Sequence, residues 1–360
     1  MNEGSSGEDE STPRSVDIAN KRSRIVSMDD LPFLSFIVPA YNAGEHLGQC
    51  LDALLESSHT SYEIIVVDDA STDNTGQIAL DKGVTLLKRS RRSGPAAARN
   101  DAALRAKGDI LFFVDADVLV TRETAALVAK RFVNDPALDA LFGSYDINPP
   151  ESNFISQYKN LFHHFVHQQS SEEAVTFWAG CGAIRKEVFQ KAAGFDQDRY
   201  ERPSIEDIEL GYRLKNMGHK ILLDKALQVK HLKRWTLHTL LRADILDRAI
   251  PWARLMLEKN EVASDLNLQL RSKISSVLVG LLILMIVLTP YINAFLCGAL
   301  LLVALIGVLN LRFYRFMFQQ RGLGFTILSF FMHLFYYFYS GVTFVLCWVI
   351  HSLSEKKQTR

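Results

Sequence analysis

Residues 110–120 read ILFFVDADVLV, an apolar run that ends in two carboxylates, Asp115 and Asp117, around one small residue, Ala116. A carboxylate buried without a partner costs several kcal/mol and takes up a proton instead. The aspartates therefore stand where a strand leaves the core, or something positive meets them there.

Reading outward from that stretch, short apolar strands alternate with amphipathic helices. LSFIVPA (34–40), YEIIVVDD (62–69) and VTLLKR (84–89) read as strands before DILFFVDAD (109–117). HLGQCLDALLES (46–57), TGQIALDKG (75–83) and AAARNDAALRAKG (96–108) read as the helices between them. Wholly apolar strands separated by helices indicate a parallel sheet covered on both faces. Ligands of such sheets bind beyond the carboxyl ends of the strands. Asp68 and Asp69 end the second strand, and Asp115 and Asp117 end the fourth. Both acidic pairs then edge one cleft. Two carboxylates spaced Asp-x-Asp at a strand end can share a hard divalent cation, Mg²⁺ or Mn²⁺. Taken alone, the pair reads more readily as strand-end turn aspartates.

The 360 residues carry 40 basic and 40 acidic side chains, a balance that argues against nucleic acid as the main partner. Four scattered cysteines, Cys50, Cys181, Cys297 and Cys347, form no C-x-x-C pair, so neither a disulfide framework nor a zinc site is expected. Residues 1–30 are polar and read as a mobile tail. Residues 31–235 form the α/β domain, and 236–272 an amphipathic segment. Arg242, Arg248 and Arg254 of that segment recur beside apolar residues. This suits helices lying on a membrane interface, or helices packed on the α/β domain. Within 273–353 the stretches 274–310 and 325–353 contain no charge and read as membrane spans. Pro290 and Asn293 divide the first, so three spans are preferred and two remain open; a basic tail, 354–360, follows.

Five motifs occur in order: FIVPAYNAGEHLGQCLDALLES, EIIVVDDASTDNT, GPAAARNDAALRAKGDILFFVDAD, GAIRKEVFQKAAGFD and SIEDIELGYRLKNMG. This succession resembles the family 2 inverting glycosyltransferases of the GT-A fold, over about 33–235. The resemblance implies an α/β domain with a Rossmann-like, mostly parallel sheet, followed by interfacial helices and transmembrane helices. It also implies a nucleotide-sugar donor, a divalent metal and inversion at the anomeric carbon.

Carried over by residue, the resemblance places Asp69 on the nucleobase and Pro39, Ala40 and Tyr41 around the base pocket. Arg99 would lie beneath the nucleotide. Asp115 and Asp117 match the metal-binding D-x-D, Asp117 as the more direct metal ligand and Asp115 nearer the ribose. Asp207 becomes the general base, with Glu206 beside it to tune or orient it. The same two residues would otherwise read as an acidic first helical turn. QVKHLKRW departs from the Q-x-x-R-W of processive members, with His231 at the glutamine position. Arg234 and Trp235 keep a diphosphate contact and a stacking wall in view, and His231 becomes a candidate metal ligand. Trp178, Gly180 and Cys181 fall on the acceptor side, Cys181 without chemistry. The run Lys88, Arg89, Arg91 and Arg92 reads mostly as solvated loop. His163 and His167 lack the glutamate of H-E-x-x-H and read as helix-surface or acceptor-site residues.

The expected protein is thus a metal-dependent glycosyltransferase anchored in a plasma or inner membrane, with its catalytic domain on the cytoplasmic face. The donor is a UDP-sugar on family habit, and the acceptor a hydroxyl of a lipid or lipid-linked molecule. A polyprenyl-phosphate glycosyltransferase, a nucleotidyltransferase and a non-catalytic membrane scaffold are the alternatives. No residue in the sequence names the sugar.

Overall fold

A computed structural model describes residues 31–259 and 269–358; the polar stretch 1–30, residues 260–268 and the last two residues of the basic tail lie outside the described residues. The α/β domain runs β1 (Leu34–Ala40), α1 (Leu47–Leu55), β2 (Tyr62–Asp68), α2 (Thr75–Asp81), β3 (Thr85–Lys88), α3 (Gly94–Arg105) and β4 (Ile110–Val114). It continues β5 (Val118–Leu119), α4 (Thr124–Asn134), β6 (Ala140–Tyr145), α5 (Phe154–Gln169), β7 (Cys181–Arg185), α6 (Lys186–Lys191), α7 (Glu206–Asn216) and β8 (Ile221–His231).

The strands form one eight-stranded sheet in the order β3-β2-β1-β4-β7-β6-β8-β5. β1, β2, β3 and β4 pair in parallel, whereas β7 runs antiparallel to both β4 and β6. The first half is thus the expected parallel sheet, and the second half is mixed. Successive side chains of a strand face opposite sides. Phe36 and Phe112 accordingly enter one core layer with Leu47, Leu51 and Val128, while Ile37 and Phe113 enter the other with Ala98, Ala102 and Phe189. Each fully buried Phe contributes about 1.5–3 kcal/mol, which fixes the strand register.

After β8 come α8 (Leu237–Arg242), a π-helical turn (Ala243–Ala249) and α9 (Ile250–Lys259). Their amphipathic faces pack on the α/β domain: Trp252, Leu255 and Met256 are buried with Tyr200 and Ile205, and Trp252 Nε1 donates to Tyr212 Oη at 2.9 Å. The described residues thus favour the packed arrangement.

Three apolar helices close the chain: α10 (Leu270–Leu288), α11 (Ala294–Leu309) and α12 (Leu311–Gln358). The uncharged run divides at 289–293, between α10 and α11. Leu270–Leu288 and Leu311–Ser354 are long and apolar enough to cross a membrane. α11, with 16 residues, rises only about 24 Å against a hydrocarbon thickness of ~30 Å. α12 is broken at Gly322, where φ is 77° and the helix changes direction. Before that break Arg321 donates to Gln157 Oε1 at 2.8 Å and to the Ile147 carbonyl at 3.0 Å, which docks the helix on α5.

Candidate active site

The carboxyl ends of β1, β2 and β4 open into a cavity of about 420 Å³. One end is formed by Pro39, Ala40, Tyr41 and Asp69. The floor carries Arg99, Asp115, Asp117, Glu206 and Asp207, and the far wall Trp178, His231 and Trp235. Most of the residues expected from sequence therefore line one space, although they come from six elements and the loops that follow them.

Asp69 follows β2, its N–H bonded to the Ala40 carbonyl at 2.8 Å, which locks the ends of β1 and β2 together. Its carboxylate accepts from Ser93 N at 3.0 Å and Gly94 N at 2.8 Å, and lies 3.2 Å from Arg89 Nε. Asp69 thus clamps the entry to α3. Ala70 has φ 61°, a left-handed conformation that costs a non-glycine residue roughly 1–2 kcal/mol. Such strain concentrates at functional sites. The basic run is more than a solvated loop, because Arg89 also pairs with Asp101 and Arg92 stacks 3.9 Å above the Tyr41 ring.

Arg99, on α3 and only 4% exposed, is the centre of the floor. Its guanidinium donates to Asp115 Oδ1 at 2.7 Å and to Glu206 Oε1 at 2.9 Å. One buried cation thereby ties the strand-end aspartate to the N-terminus of α7. Burial, followed by the neighbouring Asp117, outweighs Arg99 and leaves the Asp115 carboxyl above its usual range. Asp117 shows the opposite outcome. Burial raises it, but His231, with Lys233 and His46 behind it, holds it down at about 2.

His231 reaches Asp117 through strand pairing. β5 lies antiparallel on the end of β8, placing Val118 opposite His231, and Leu232 N donates to the Asp117 carbonyl at 2.8 Å. His231 Nε2 then stands 3.5 Å from Asp117 Oδ2. Tyr145, at the end of β6, stacks on the imidazole at 4.4 Å and 9°, fixing the ring plane. An ionised carboxylate facing an imidazole nitrogen is a donor set suited to Mg²⁺ or Mn²⁺, with substrate oxygens completing the shell. No group of three or more such ligands occurs among the described residues. Asp117 and His231 are therefore the residues that could hold such a cation, while Asp115 is engaged by Arg99.

Glu206 and Asp207 open α7. Glu206 Oε2 accepts from Ser204 N at 2.9 Å; Asp207 accepts from Ala179 N at 3.0 Å and from Ile208 N at 2.8 Å. Burial first, then the adjacent Glu206, lifts the Asp207 carboxyl to about 6. A carboxylate poised there is a far stronger base than an ordinary aspartate. Gly211 lets α7 approach the 176–177 backbone, since a Cβ there would lie 2.6 Å from Thr176 Cα.

Three expected residues are placed elsewhere. Arg234 is 74% exposed and faces Glu151 at 3.7 Å; Lys233 lines the cavity in its stead, 4.4 Å over the Trp235 ring. Beyond His231 the chain leaves the strand, and Lys233 and Trp235 line the cavity while Arg234 between them does not. Cys181 is fully buried on β7, paired with Val114 in the sheet. Gly180 contributes a carbonyl that accepts from Asp115 N at 3.2 Å, and its missing side chain leaves room for the Trp178 indole.

Sequence reading missed Tyr145, Lys159 and Arg248, which also line the cavity. His163 and His167 stack at 3.9 Å and adjoin Trp178 on the same wall. Burial, with Arg248 contributing, lowers both imidazoles, His167 to about 4.

Fold and site together define an α/β domain with an acidic, metal-compatible cleft beyond the carboxyl ends of its strands. Residues 35–192 match the family model described as Glycosyl transferase family 2. The chain is 33% identical over 127 residues to Glycosyltransferase GlyG of Streptococcus pneumoniae, covering 34% of this chain and 42% of that protein. It is 25% identical over 205 residues to the poly-beta-1,6-N-acetyl-D-glucosamine synthase of Staphylococcus aureus, covering 54% of this chain and 49% of that one. The chain thus spans less than half the length of these curated relatives. A mannosyltransferase from Pyrobaculum calidifontis, solved in complex with GDP-Man and Mn²⁺, shares the fold at TM-score 0.55 and 19% identity, over 88% of this chain and 87% of that one.

Proposed function

We propose that the protein is a membrane-anchored, metal-dependent inverting glycosyltransferase that moves a sugar from a nucleotide-sugar donor to a hydroxyl of a lipid or lipid-linked acceptor. The observation that carries this reading is Asp207, a carboxylate raised to about 6 and held in the same cavity as Asp115 and Asp117. Sugar transfer is in keeping with the relatives' names, and GDP-Man and Mn²⁺ are bound by the mannosyltransferase that shares the fold.

The nucleotide would occupy the end between Tyr41 and Asp69, its base against the Arg92-capped Tyr41 ring. Asp117 and His231, with Asp115 nearby, would hold a divalent cation that offsets charge on the departing diphosphate. Asp207 takes the proton from the acceptor hydroxyl as its oxygen attacks the anomeric carbon opposite the leaving group. Ala179 N–H and Ile208 N–H aim that carboxylate, and Arg99 keeps Glu206 beside it at a fixed distance. α10 and α12 would hold the cavity at the surface of a bilayer, on the cytoplasmic side where nucleotide sugars are made.

The test is nucleoside diphosphate release by the detergent-solubilised chain from a panel of nucleotide sugars, with and without Mg²⁺ or Mn²⁺ and a membrane lipid extract. Release that needs one donor, the metal and the extract is the expected result. No release from any donor would overturn the assignment.

A further inference from the structure

The cavity holds more positive charge than the donor end uses. Its cations are Arg92, Arg99, Lys159, Lys233 and Arg248. Arg92 lies over Tyr41, and Arg99 is bonded to Asp115 and Glu206. Lys159 is 2.5 Å from Asp244, and Lys233 lies over the Trp235 ring. Among these cations Arg248 alone makes no hydrogen bond, close ion pair or ring contact with a described residue, although its charge acts on Asp207, Asp244 and Asp247.

Arg248 belongs to the π-helical turn Ala243–Ala249, away from the Tyr41 end. Its neighbours in the cavity are Lys159, His163, His167, Asp207 and Asp247. The turn is fixed on both sides: Asp244 accepts from Lys159 and, at 2.7 Å, from Tyr339 Oη of α12, while Ser204 Oγ donates to the Asp247 carbonyl at 3.0 Å. The order in space is therefore Asp207 in the floor, the Arg248 turn, then the apolar helix α12. A phosphate-linked lipid has the same order, with a sugar hydroxyl, then phosphate, then hydrocarbon. A guanidinium presents five donors in a planar fork that matches phosphate oxygens and is worth most where water is partly excluded.

We infer that the acceptor end is a phosphate site with Arg248 as its anion-binding group, and that the acceptor is a phosphate-linked lipid rather than a neutral glycolipid. This rests on the transferase reading above, in which Asp207 faces the acceptor. Of the two arrangements open for this segment, a side chain that lines the cavity fits the one packed on the α/β domain.

Binding to the full-length chain in detergent tests it without turnover, by calorimetry at saturating UDP or GDP, whichever binds, with Mn²⁺. The probes are farnesyl diphosphate, farnesol and inorganic pyrophosphate. Farnesyl diphosphate should bind alongside the nucleotide, lose at least ten-fold in affinity in Arg248→Gln, and recover most of it in Arg248→Lys. Farnesol and nucleotide affinities should stay within two-fold. Unchanged farnesyl diphosphate affinity in Arg248→Gln would overturn the site. An equal loss of nucleotide affinity would assign the arginine to the donor instead. Pyrophosphate binding as tightly as farnesyl diphosphate would remove the lipid from the proposal. If neither nucleotide binds the wild type, the transferase reading fails separately, and the farnesyl diphosphate arm is still read.

Discussion

Replacing Asp207 by Asn separates what one carboxylate does for catalysis from what it does for the fold. Burial, followed by Glu206, raises this carboxyl from 3.8 to about 6. A lift of roughly two units corresponds to about 3 kcal/mol between the two protonation states, which water in the open cavity trims. The native chain binds this proton more tightly than the unfolded chain. Between about pH 4 and 6 the native state therefore holds more protons, and stability declines as pH rises through that window. At neutral pH the cost is fully in place, and an uncharged Asn removes it. The amide, however, keeps only one acceptor for the Ala179 and Ile208 N–H groups and turns its NH₂ toward the other, losing about 1–3 kcal/mol. The two effects nearly cancel, so unfolding free energy at pH 7 should change by no more than about 2 kcal/mol. Turnover should fall by about 10²–10⁴, the usual worth of a positioned base. Thermal unfolding and nucleoside diphosphate release over about pH 4.5–8 give both numbers. Wild-type kcat/KM should drop about ten-fold per pH unit below an apparent value near 6 set by the Glu206–Asp207 pair, and the variant should lack that limb. A variant that melts far lower, or one that keeps the acid limb, would make Asp207 a helix-capping residue and sink the base assignment.

Arg99→Met leaves Asp115 and Glu206 without their shared cation, and should cost about 3–5 kcal/mol in denaturant unfolding; Arg99→Lys should recover only part, because one ammonium cannot hold both contacts. Asp117→Asn should weaken Mn²⁺ binding, read by electron paramagnetic resonance, at least ten-fold and lower the melting temperature at neutral pH, with His231→Ala weakening Mn²⁺ binding in the same direction. Gly211→Ala should push α7 off the Thr176 backbone, lowering stability by about 1–3 kcal/mol and kcat more than KM. Arg234→Ala should leave the donor KM within two-fold, since that side chain points away from the cavity.

The parallel half of the sheet was legible from residues 34–117, because wholly apolar strands, helical periodicity and strand-end aspartates are local patterns. The same holds for Asp69, Asp115, Asp117 and the Glu206–Asp207 pair, each set by its position at the end of a strand or the start of a helix. Local pattern also marked the apolar helices, which need no partner to be recognised. Whatever depends on contacts between distant segments came only from the tertiary structure. The Val118–His231 pairing puts an imidazole on Asp117, and no spacing along the chain encodes it. The bridge of Arg99 to Asp115 and Glu206 joins positions 16 and 107 residues apart. Side-chain direction was equally hidden: beyond β8 the cavity takes Lys233 and not its neighbour Arg234, and in the 243–249 turn Asp244 packs against Lys159 and Tyr339 while Arg248 lines the cavity. Local pattern along the chain marked the strand-end acids and the apolar helices; folding decided which charges meet inside the cleft.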